Sequence, residues 1–503
     1  MQRVQHSVSY PTTVATVAIV GAGFSGAMTA VNLLRQSAGR PLRVVLINRS
    51  GRTARGAAYG TASAEHLLNV PAGNMSALAD DPDDFLRYCR WADPAVTPAS
   101  FVRRQQYGGY LEALLDAAEH GAPAHTLLER WVGEVVDLQL GADGALSALY
   151  LADGRRVEAH HVVLAFGNFA PADPPCAAPG LCASARYVRD PWAAGALDGV
   201  GGGEPVLLLG SGLTAVDVSL ALASRGHRAP VWVLSDHGLL PAAHREHRGR
   251  FDADATRALV QAMGYTVRRA LRALRTAMRE HTAAGGDWRD LMAAVRPAVP
   301  RLWQHWPPAE RRRFIARLLP YWEAARHRCA PASHARFEAL LTAGQVVPIA
   351  GRLVALRESR SGVEVEFRRR GGIRLERLQV AHVVNCTGPG SDLSRIDSRF
   401  VARLMARGWL VADPLRLGAE VDTAGALFDR QGVPSSQLHC VGPLLRARDW
   451  EAAAVPELRV QAQRMAAALL ALHPGPTDRS ASPAGLPAPA PPAPFPAAPR
   501  KSG

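Results

Sequence analysis

The chain has 503 residues, which is too long for one ordinary domain and predicts two or three. Hydrophobic residues make up 48% of the chain, enough for buried cores, and this excludes a disordered or fibrous protein. The formal net charge of +14 comes almost entirely from arginines spread along helical patterns, so it favours anionic ligands over nucleic acid. No apolar run reaches the roughly eighteen residues of a membrane span, so we expect no membrane partner.

The six cysteines include no C-x-x-C pair. This argues against a zinc site and against a dithiol redox centre, and we predict no metal site.

The first unit is a strand, a glycine turn and a helix. Residues 17–26 read VAIVGAGFSG, with Gly21, Gly23 and Gly26 in the G-x-G-x-x-G spacing. The first glycine permits a tight turn, the second lets backbone approach a pyrophosphate, and the third allows close helix–strand packing. The phosphates then lie at the helix N-terminus, where free N–H groups favour negative charge. The pattern therefore predicts a dinucleotide site.

The second strand of this unit ends at Asn48, where an acidic residue usually holds the ribose hydroxyls. The amide oxygen of Asn48 can accept the same hydrogen bond.

A second strand–turn–helix–strand unit starts at Pro205, and residues 206–217 read VLLLGSGLTAVD. Ala215 replaces the third glycine. The paired strand ends in Ser235 and Asp236. The lack of an acid at Ser235 suits a 2′-phosphate, with Arg245 or His237 as partners, whereas Asp236 argues the other way. We therefore favour NADPH and leave NADH open.

Between and after these units, the pattern predicts further elements. Residues 251–343 are predicted to be helical, and an apolar stripe in them is interpreted as core packing. That stripe consists of Leu259, Met263, Val267, Leu271 and Leu274. Helices are also predicted at 82–91, 107–120 and 456–472, and strands at 134–140, 146–151, 162–166, 346–357, 363–368 and 380–386.

Several further segments carry a family resemblance. They read GAAYG (56–60), HLLNVPAGNMSA (66–77), FVRRQQYGGYL (101–111), LAFGN (164–168), GLLPAAH (238–244), VNCTGPG (384–390) and WEAAAVPEL (450–458). With the two glycine turns they resemble the bacterial FAD/NAD(P)-binding protein family over about residues 14–470. A characterised branch of similar proteins is the L-aspartate N-hydroxylases, or nitrosuccinate synthases, which share their plan with other N-hydroxylating flavin monooxygenases.

A bacterial-type cytoplasmic enzyme is the default expectation, because the sequence shows no membrane span and no signal peptide. The resemblance implies that NADPH reduces FAD and that oxygen adds to the reduced ring. A flavin C4a-hydroperoxide then oxidises a bound nucleophile. The sequence lacks the F-x-G-x-x-x-H-x-x-x-W-P fingerprint of Baeyer–Villiger enzymes, and YVRDPW (187–192) stands in the comparable region. The expected reaction is therefore N-oxygenation of a small amino acid or amine, with molecular oxygen as co-substrate.

Two other functions stay open. One is an NAD(P)H oxidase or dehydrogenase that passes electrons to a quinone or protein partner. The other is a non-catalytic flavin-binding sensor. The oligomeric state is also open.

The predicted fold class is α/β, with two Rossmann-like dinucleotide-binding domains for FAD and NAD(P)H and a helical insertion. The FAD domain is assigned to residues 1–185 and 346–475, and the NAD(P)H domain to 186–345. The Pro/Ala-rich tail, 476–503, is expected to be disordered.

The resemblance also implies roles for individual residues. Asn69 matches a position that faces the flavin, although a turn-forming role is equally consistent. Arg104 and Tyr107 match an R-x-x-Y element that lines the FAD cleft, with a helix cap as the alternative. The residues predicted to bind the cofactors are Gly21, Gly23, Phe24, Ser25, Gly26, Asn48, Arg49, Tyr59, Asn69, Arg104, Tyr107, Val135, Gly210, Ser211, Gly212, Leu213, Thr214, Ser235, Gly442, Pro443 and Ala454.

An anionic amino-acid substrate requires guanidinium groups, because planar bidentate donors match carboxylates. We predict that Arg296 and Arg446 supply them and, with Asn69, form the catalytic site. The other candidates are Arg301, Arg448, His327 and Arg328.

Overall fold

A computed structural model describes residues 14–142, 145–245, 249 and 251–473. The predicted disordered tail, 476–503, lies outside the described residues. Within them the chain forms two large sheets, a smaller three-stranded sheet and a helical region. The predicted α/β class, with two Rossmann-like units and a helical insertion, is confirmed.

The strands are β1 (Ala15–Val20), β2 (Leu42–Asn48), β3 (Thr126–Val132), β4 (Val135–Gln139), β5 (Ser147–Leu151), β6 (Arg156–Ala159), β7 (His161–Leu164), β8 (Tyr187–Val188), β9 (Val206–Leu209), β10 (Val231–Ser235), β11 (Val346–Ser359), β12 (Gly362–Arg369), β13 (Leu375–Val380), β14 (His382–Asn385), β15 (Ala426–Phe428) and β16 (Pro434–Cys440).

The α-helices are α1 (Phe24–Gln36), α2 (Gly56–Tyr59), α3 (Asp84–Ala92), α4 (Arg104–His120), α5 (Pro179–Cys182), α6 (Leu213–Ser224), α7 (Ala253–Met263), α8 (Val267–Ala283), α9 (Trp288–Val295), α10 (Val299–His305), α11 (Pro308–Arg317), α12 (Leu319–Arg326), α13 (Pro331–Thr342), α14 (Arg399–Arg407) and α15 (Val455–Ala471).

The first sheet has the order β15-β16-β7-β1-β2-β3 and is parallel except for its edge strand β15. Successive side chains of a strand point to opposite faces. In β1, Val17 and Ile19 therefore enter the core beneath α1, α4 and α15, whereas Ala18 and Val20 enter the core beneath the three-stranded sheet β4-β5-β6. Burial on both faces explains why this strand is apolar without alternation.

The second sheet has the order β13-β12-β11-β10-β9-β14-β8. Its parallel strands include β11, which pairs with β10, and β14, which pairs with both β9 and β8. The predicted domain boundary at residue 346 is therefore wrong, because residues 346–385 belong to the second sheet. The sequence placed these strands correctly but could not show which sheet they join, since parallel pairing links segments far apart in the chain.

The helical insertion spans α7 to α13 and has its own core, which contains Trp303 and Phe314. Leu259, Met263 and Val267 of the predicted stripe are buried in this core, and Leu274 packs against it. Leu271 does not enter it, because the stripe is divided between two helices that meet at Gly264. No helix among the described residues is long and apolar enough to cross a membrane.

Four histidines gather at the start of β7. The Nε2 atoms of His161 and His473 lie 2.9 Å apart, and His161 Nδ1 lies 3.3 Å from His439 Nε2. His160 accepts the N–H of Thr16 at 3.0 Å and packs against the ring of His473. Burial, together with the neighbouring histidines, lowers the pKa of His161 to about 3, and burial lowers the pKa of His439 to about 4. The cluster is therefore neutral in the folded protein near pH 7.

We predict that the folded state loses stability as the pH falls from about 6.5 to about 4. In the unfolded chain these imidazoles bind a proton near pH 6.5, whereas the fold delays binding until about pH 4 for His439. Protons thus favour unfolding within this window, by at most about 1.4 kcal/mol per pH unit for each histidine. Urea unfolding at pH 7, 6 and 5 measures the slope.

His439→Gln should reduce that slope, whereas His120→Gln on the exposed surface of α4 should leave it unchanged. A stability that does not vary between pH 7 and 5 would contradict the assignment.

Candidate functional site

The first glycine turn is held by direct backbone contact. Gly21 has φ +106°, and a Cβ atom there would lie 2.2 Å from the carbonyl oxygen of Ala165. A Cβ on Gly26 would lie 1.9 Å from the carbonyl oxygen of Gly21. These two glycines let α1 begin directly against the ends of β1 and β7.

Two more segments meet the N-terminus of α1. Gly56, at the start of α2, approaches Gly23, and a Cβ on Gly23 would lie 3.5 Å from the Cα of Gly56. Gly442 follows β16, and a Cβ there would lie 2.9 Å from the hydroxyl of Ser25. The N-cap of α1 is Gly23, and no side chain caps the helix. The result is a backbone cradle at a helix N-terminus, which fits a pyrophosphate.

The predicted ribose contact lies beside this cradle. Both side-chain hydrogen bonds of Asn48 to described residues are donated by its amide nitrogen, at 2.5 Å to the carbonyl of Arg52 and 3.0 Å to the hydroxyl of Ser50. This geometry leaves the amide oxygen as the acceptor available to a ligand. Arg49 is exposed next to it, whereas Val135 is buried in the core under the first sheet.

The aromatic residues near the cradle are tightly packed. Tyr59 and Tyr107 meet edge to face at 4.6 Å. Burial raises the pKa of Tyr59 to about 12 and raises that of Tyr107 as well. The hydroxyl of Tyr107 is buried without a hydrogen-bond partner in the described structure, so it is a polar atom left for a ligand.

Arg104 joins the two dinucleotide units. Its guanidinium donates to Asp217 Oδ2 on α6 at 2.6 Å, and the two side chains are only 13% and 10% exposed. The same guanidinium lies over the ring of Trp192 at 5.1 Å. Arg104 was predicted to line the FAD cleft. Its guanidinium contacts the second unit through Asp217, and its role toward FAD stays a prediction.

Asn69 lies near the same junction, where its backbone carbonyl is 2.9 Å from Nε2 of His244. The structure does not test whether its side chain faces the flavin.

The second glycine turn repeats the geometry of the first. Gly210 has φ +95°, and a Cβ there would lie 2.6 Å from the carbonyl oxygen of Cys386. Gly212 is the N-cap of α6, so Leu213 and Thr214 form its first turn. Ala215 is buried where the third glycine would stand. The hydroxyl of Ser211 lies 2.8 Å from that of Ser235, which links the turn to the end of β10.

The end of β10 also holds the groups relevant to a 2′-phosphate. Arg245 is engaged elsewhere, by Asp287 and Asp290. His237 contacts the ring of Tyr321 at 5.5 Å. Arg370, which the sequence analysis missed, donates to the Tyr321 hydroxyl at 3.4 Å, and its backbone N–H bonds the carbonyl of Ala350, the register partner of Ser235.

The predicted substrate arginines lie in one charged cluster before α15. Arg446 stacks on Trp450 at 4.4 Å and donates to Glu323 at 2.6 Å. Arg296 donates to Glu457 at 2.6 Å. The members of this charged cluster are Arg296, Arg326, Arg446, Glu323, Glu451 and Glu457.

Arg326 and Arg296 both approach Glu451, at 2.7 and 3.7 Å, and this carboxylate is only 6% exposed. Burial raises the pKa of Glu457, partly offset by Arg296. For Glu323, burial is outweighed by His327 and Arg446, which lower its pKa to about 2. The cluster thus contains both guanidinium and carboxylate groups that a ligand could contact.

The sequence analysis considered only the arginines. Glu451 and Glu457 were inside the quoted segment WEAAAVPEL, and their position at the start of the last helix was the available signal.

Of the other candidates, Arg448 donates to the carbonyl of Asp422 at 2.9 Å and Arg328 lies over Trp288. Arg301 is exposed on α10. The described residues contain no group of three or more His, Cys, Asp or Glu side chains arranged to hold a metal ion.

Comparison with known proteins agrees with this geometry. Residues 18–169 match the FAD-NAD(P)-binding family, and this range holds the first glycine turn and the strand end at Ala165. This segment is an FAD-NAD(P)-binding domain. The family's cofactors fit the backbone cradle and the unpartnered Tyr107 hydroxyl described above.

The fold is similar to that of two solved structures, an ornithine hydroxylase and an L-lysine 6-monooxygenase. The ornithine hydroxylase of Pseudomonas aeruginosa superposes with a TM-score of 0.61 at 14% identity, covering 92% of this chain and 99% of that one. The L-lysine 6-monooxygenase of Pseudomonas syringae gives 0.59 at 17% identity, covering 90% and 98%.

A curated relative, an L-aspartate N-monooxygenase (nitrosuccinate-forming) of Streptomyces cremeus, is 29% identical over 44% of this chain. The match spans only 39% of that relative's length.

We predict that Gly21→Ala and Gly23→Ala separate folding from cofactor binding. The Gly21 methyl would meet the Ala165 carbonyl and should destabilise the whole unit. The Gly23 methyl meets the described residues only at ordinary contact distance, so the variant should fold but lose FAD, because the methyl occupies the cradle. Flavin absorbance per mole of protein and thermal unfolding measure the two effects. A Gly23→Ala protein that retains full flavin would show that the pyrophosphate lies elsewhere.

Proposed function

We propose that this protein is an FAD-dependent, NAD(P)H-using monooxygenase that N-oxygenates a small amino acid or amine. The observation that carries the proposal is the charged cluster, which connects the Gly442 turn of the FAD unit to the first turn of α15. The likeness to N-hydroxylating enzymes supports it. We propose aspartate as the first substrate to test, because three guanidiniums suit an anionic amino acid.

Bound flavin, once reduced by NAD(P)H, supplies the activation of dioxygen that amine oxidation needs. The protein's own groups hold and orient the reactants. The backbone cradle at α1 fixes the pyrophosphate, and Gly442 brings backbone against Ser25 at the same edge. Trp303 donates to the carbonyl of Ala447 at 2.9 Å and packs on Trp450, so the insertion covers this segment and excludes water from it.

To bind, a charged substrate must replace ion pairs that the cluster already makes within the protein. A substrate carboxylate replaces Glu323 on the outer edge of Arg446, whose guanidinium is already oriented by Trp450. The substrate ammonium must lose a proton before its nitrogen can react. Glu457 is the carboxylate placed to take that proton, because burial raises its pKa and Arg296 occupies only its Oε2.

The overall reaction is tested by anaerobic reduction with NADPH or NADH, followed by oxygen and product analysis with aspartate, ornithine and lysine. We expect flavin reduction and a hydroxylated or nitro product from aspartate. Faster turnover with an artificial acceptor than with oxygen, and no oxygenated product, would replace this function with a dehydrogenase. If neither nucleotide reduces the flavin, both enzyme functions are excluded and a non-catalytic flavin-binding sensor remains.

We predict that Arg446→Gln lowers kcat/KM for aspartate by roughly 10- to 100-fold, the loss of one charge-assisted contact. Flavin reduction by NADPH without substrate should not change. Arg448→Gln is the matched control, since that arginine lies in the same segment but donates to the carbonyl of Asp422. Equal losses in both variants would show that Arg446 has no specific role.

For the nicotinamide nucleotide we propose NADPH, with Arg370 and His237 holding the 2′-phosphate. Arg370→Gln should weaken NADP+ binding by about tenfold or more and leave NAD+ binding unchanged, because only the former carries that phosphate. Calorimetric titration of the holoprotein measures both. Arg374→Gln, exposed just before β13, is the control. Equal weakening of both nucleotides would contradict the assignment.

A further inference from the structure

One face of helix α8 carries a row of arginines that the proposed reaction does not use. Arg268, Arg272, Arg275 and Arg279 recur three or four residues apart, so they share one narrow face of the helix. All four side chains are exposed. We call these four residues the arginine row.

The opposite face of α8 already anchors the helix. Val267 and Ala270 are buried in the core of the insertion, and Leu274 and Ala277 pack against that core. The arginine row is therefore not needed to hold α8 in place.

The row has no internal counter-charge. Within the described ranges, no carboxylate lies within ion-pair distance of these four guanidiniums, whereas Arg257 on the preceding helix pairs with Asp254. Like charges three and four residues apart on a helix repel each other. The arrangement thus costs the isolated protein stability and is relieved only by an external anion.

We propose that the arginine row is a docking surface for a partner protein that presents an acidic helix. Along the axis the row extends about 16 Å, or three helical turns. A helix with carboxylates at the same spacing would place one opposite each guanidinium, and Arg–carboxylate pairs are bidentate and geometrically specific. Leu271 and Met278, which line the same surface groove, add apolar contact along one side.

The surroundings of the row favour a protein over other polyanions. The row is one helix wide, and Glu280 next to it is exposed and would repel a broad phosphate backbone. α8 carries no Phe, Trp or Tyr on which bases could stack. A protruding apolar face strengthens membrane attachment besides basic charge, and Leu271 and Met278 are half-buried, which disfavours a membrane surface.

Residues 1–13 contain no acidic residue, and residues 474–503 contain only Asp478 among several cations, so neither segment offers a row of carboxylates. A second copy related by a two-fold axis through the row would place arginine against arginine. Both observations favour a different protein as the occupant.

The test uses the flavin-loaded full-length protein and a fluorescein-labelled helical peptide of about twenty residues, with four glutamates at the spacing of the row. A peptide of the same composition with its glutamates distributed around the helix is the first control. Arg272→Glu/Arg275→Glu disrupts the row. Arg360→Glu/Arg374→Glu, at exposed positions in the turn between β11 and β12 and just before β13, makes the same change in net charge. Bound flavin per protein verifies that each variant is folded.

We expect anisotropy titrations to show that the row variant binds the matched peptide about tenfold more weakly or worse, while the control variant stays within about twofold. The distributed peptide should bind weakly to all three proteins. Equal losses in both variants, or equal binding of both peptides, would overturn the proposal. So would tighter binding of a DNA duplex or of phosphatidylserine vesicles that the row variant abolishes.

Discussion

Both nucleotide sites depend on a backbone contact that leaves no room for a side chain. In each unit the first glycine of the turn touches the residue just past a neighbouring strand, Ala165 after β7 and Cys386 after β14. The contact brings a helix N-terminus to the carboxyl edge of a parallel sheet, where its free N–H groups face a ligand. Ala215 shows that the third glycine is dispensable in the second unit, whereas Gly26 has no room for a methyl group.

The strands, helices and glycine turns could be predicted from local sequence, because the strand, glycine and helix signals of one unit lie within about thirty residues of each other. It failed where distant segments meet. The strands from residue 346 were recognised, but their pairing with β10 and β14 was not. Likewise Arg104 was identified as important, but its partner Asp217 lies 113 residues away and no local pattern connects them.

The partners of the arginine side chains were likewise not predictable from the local sequence. A high arginine content suggested free cations for an anionic substrate, yet the structure pairs Arg296, Arg326 and Arg446 with glutamates. Of these, Glu451 is buried and Glu323 and Glu457 are half-buried. Removing one member of such a group leaves the remaining charge unpaired in a poorly solvating environment, which is destabilising. On the function proposed above, a ligand of the cluster has to replace charge for charge, and this requirement cannot be read from arginine counts.

The pair between Arg104 and Asp217 constrains how the two units move. Breaking the pair would leave two buried charges unpaired and would remove the guanidinium from the ring of Trp192. The free-energy cost of an unpaired buried charge therefore opposes separation of the two units. The pair is one of several contacts between the two units, and the Asn69 carbonyl against His244 is another. Because both side chains of the pair are buried, dissolved salt screens their attraction much less than it screens an exposed ion pair, so added salt does little to loosen this contact between the units.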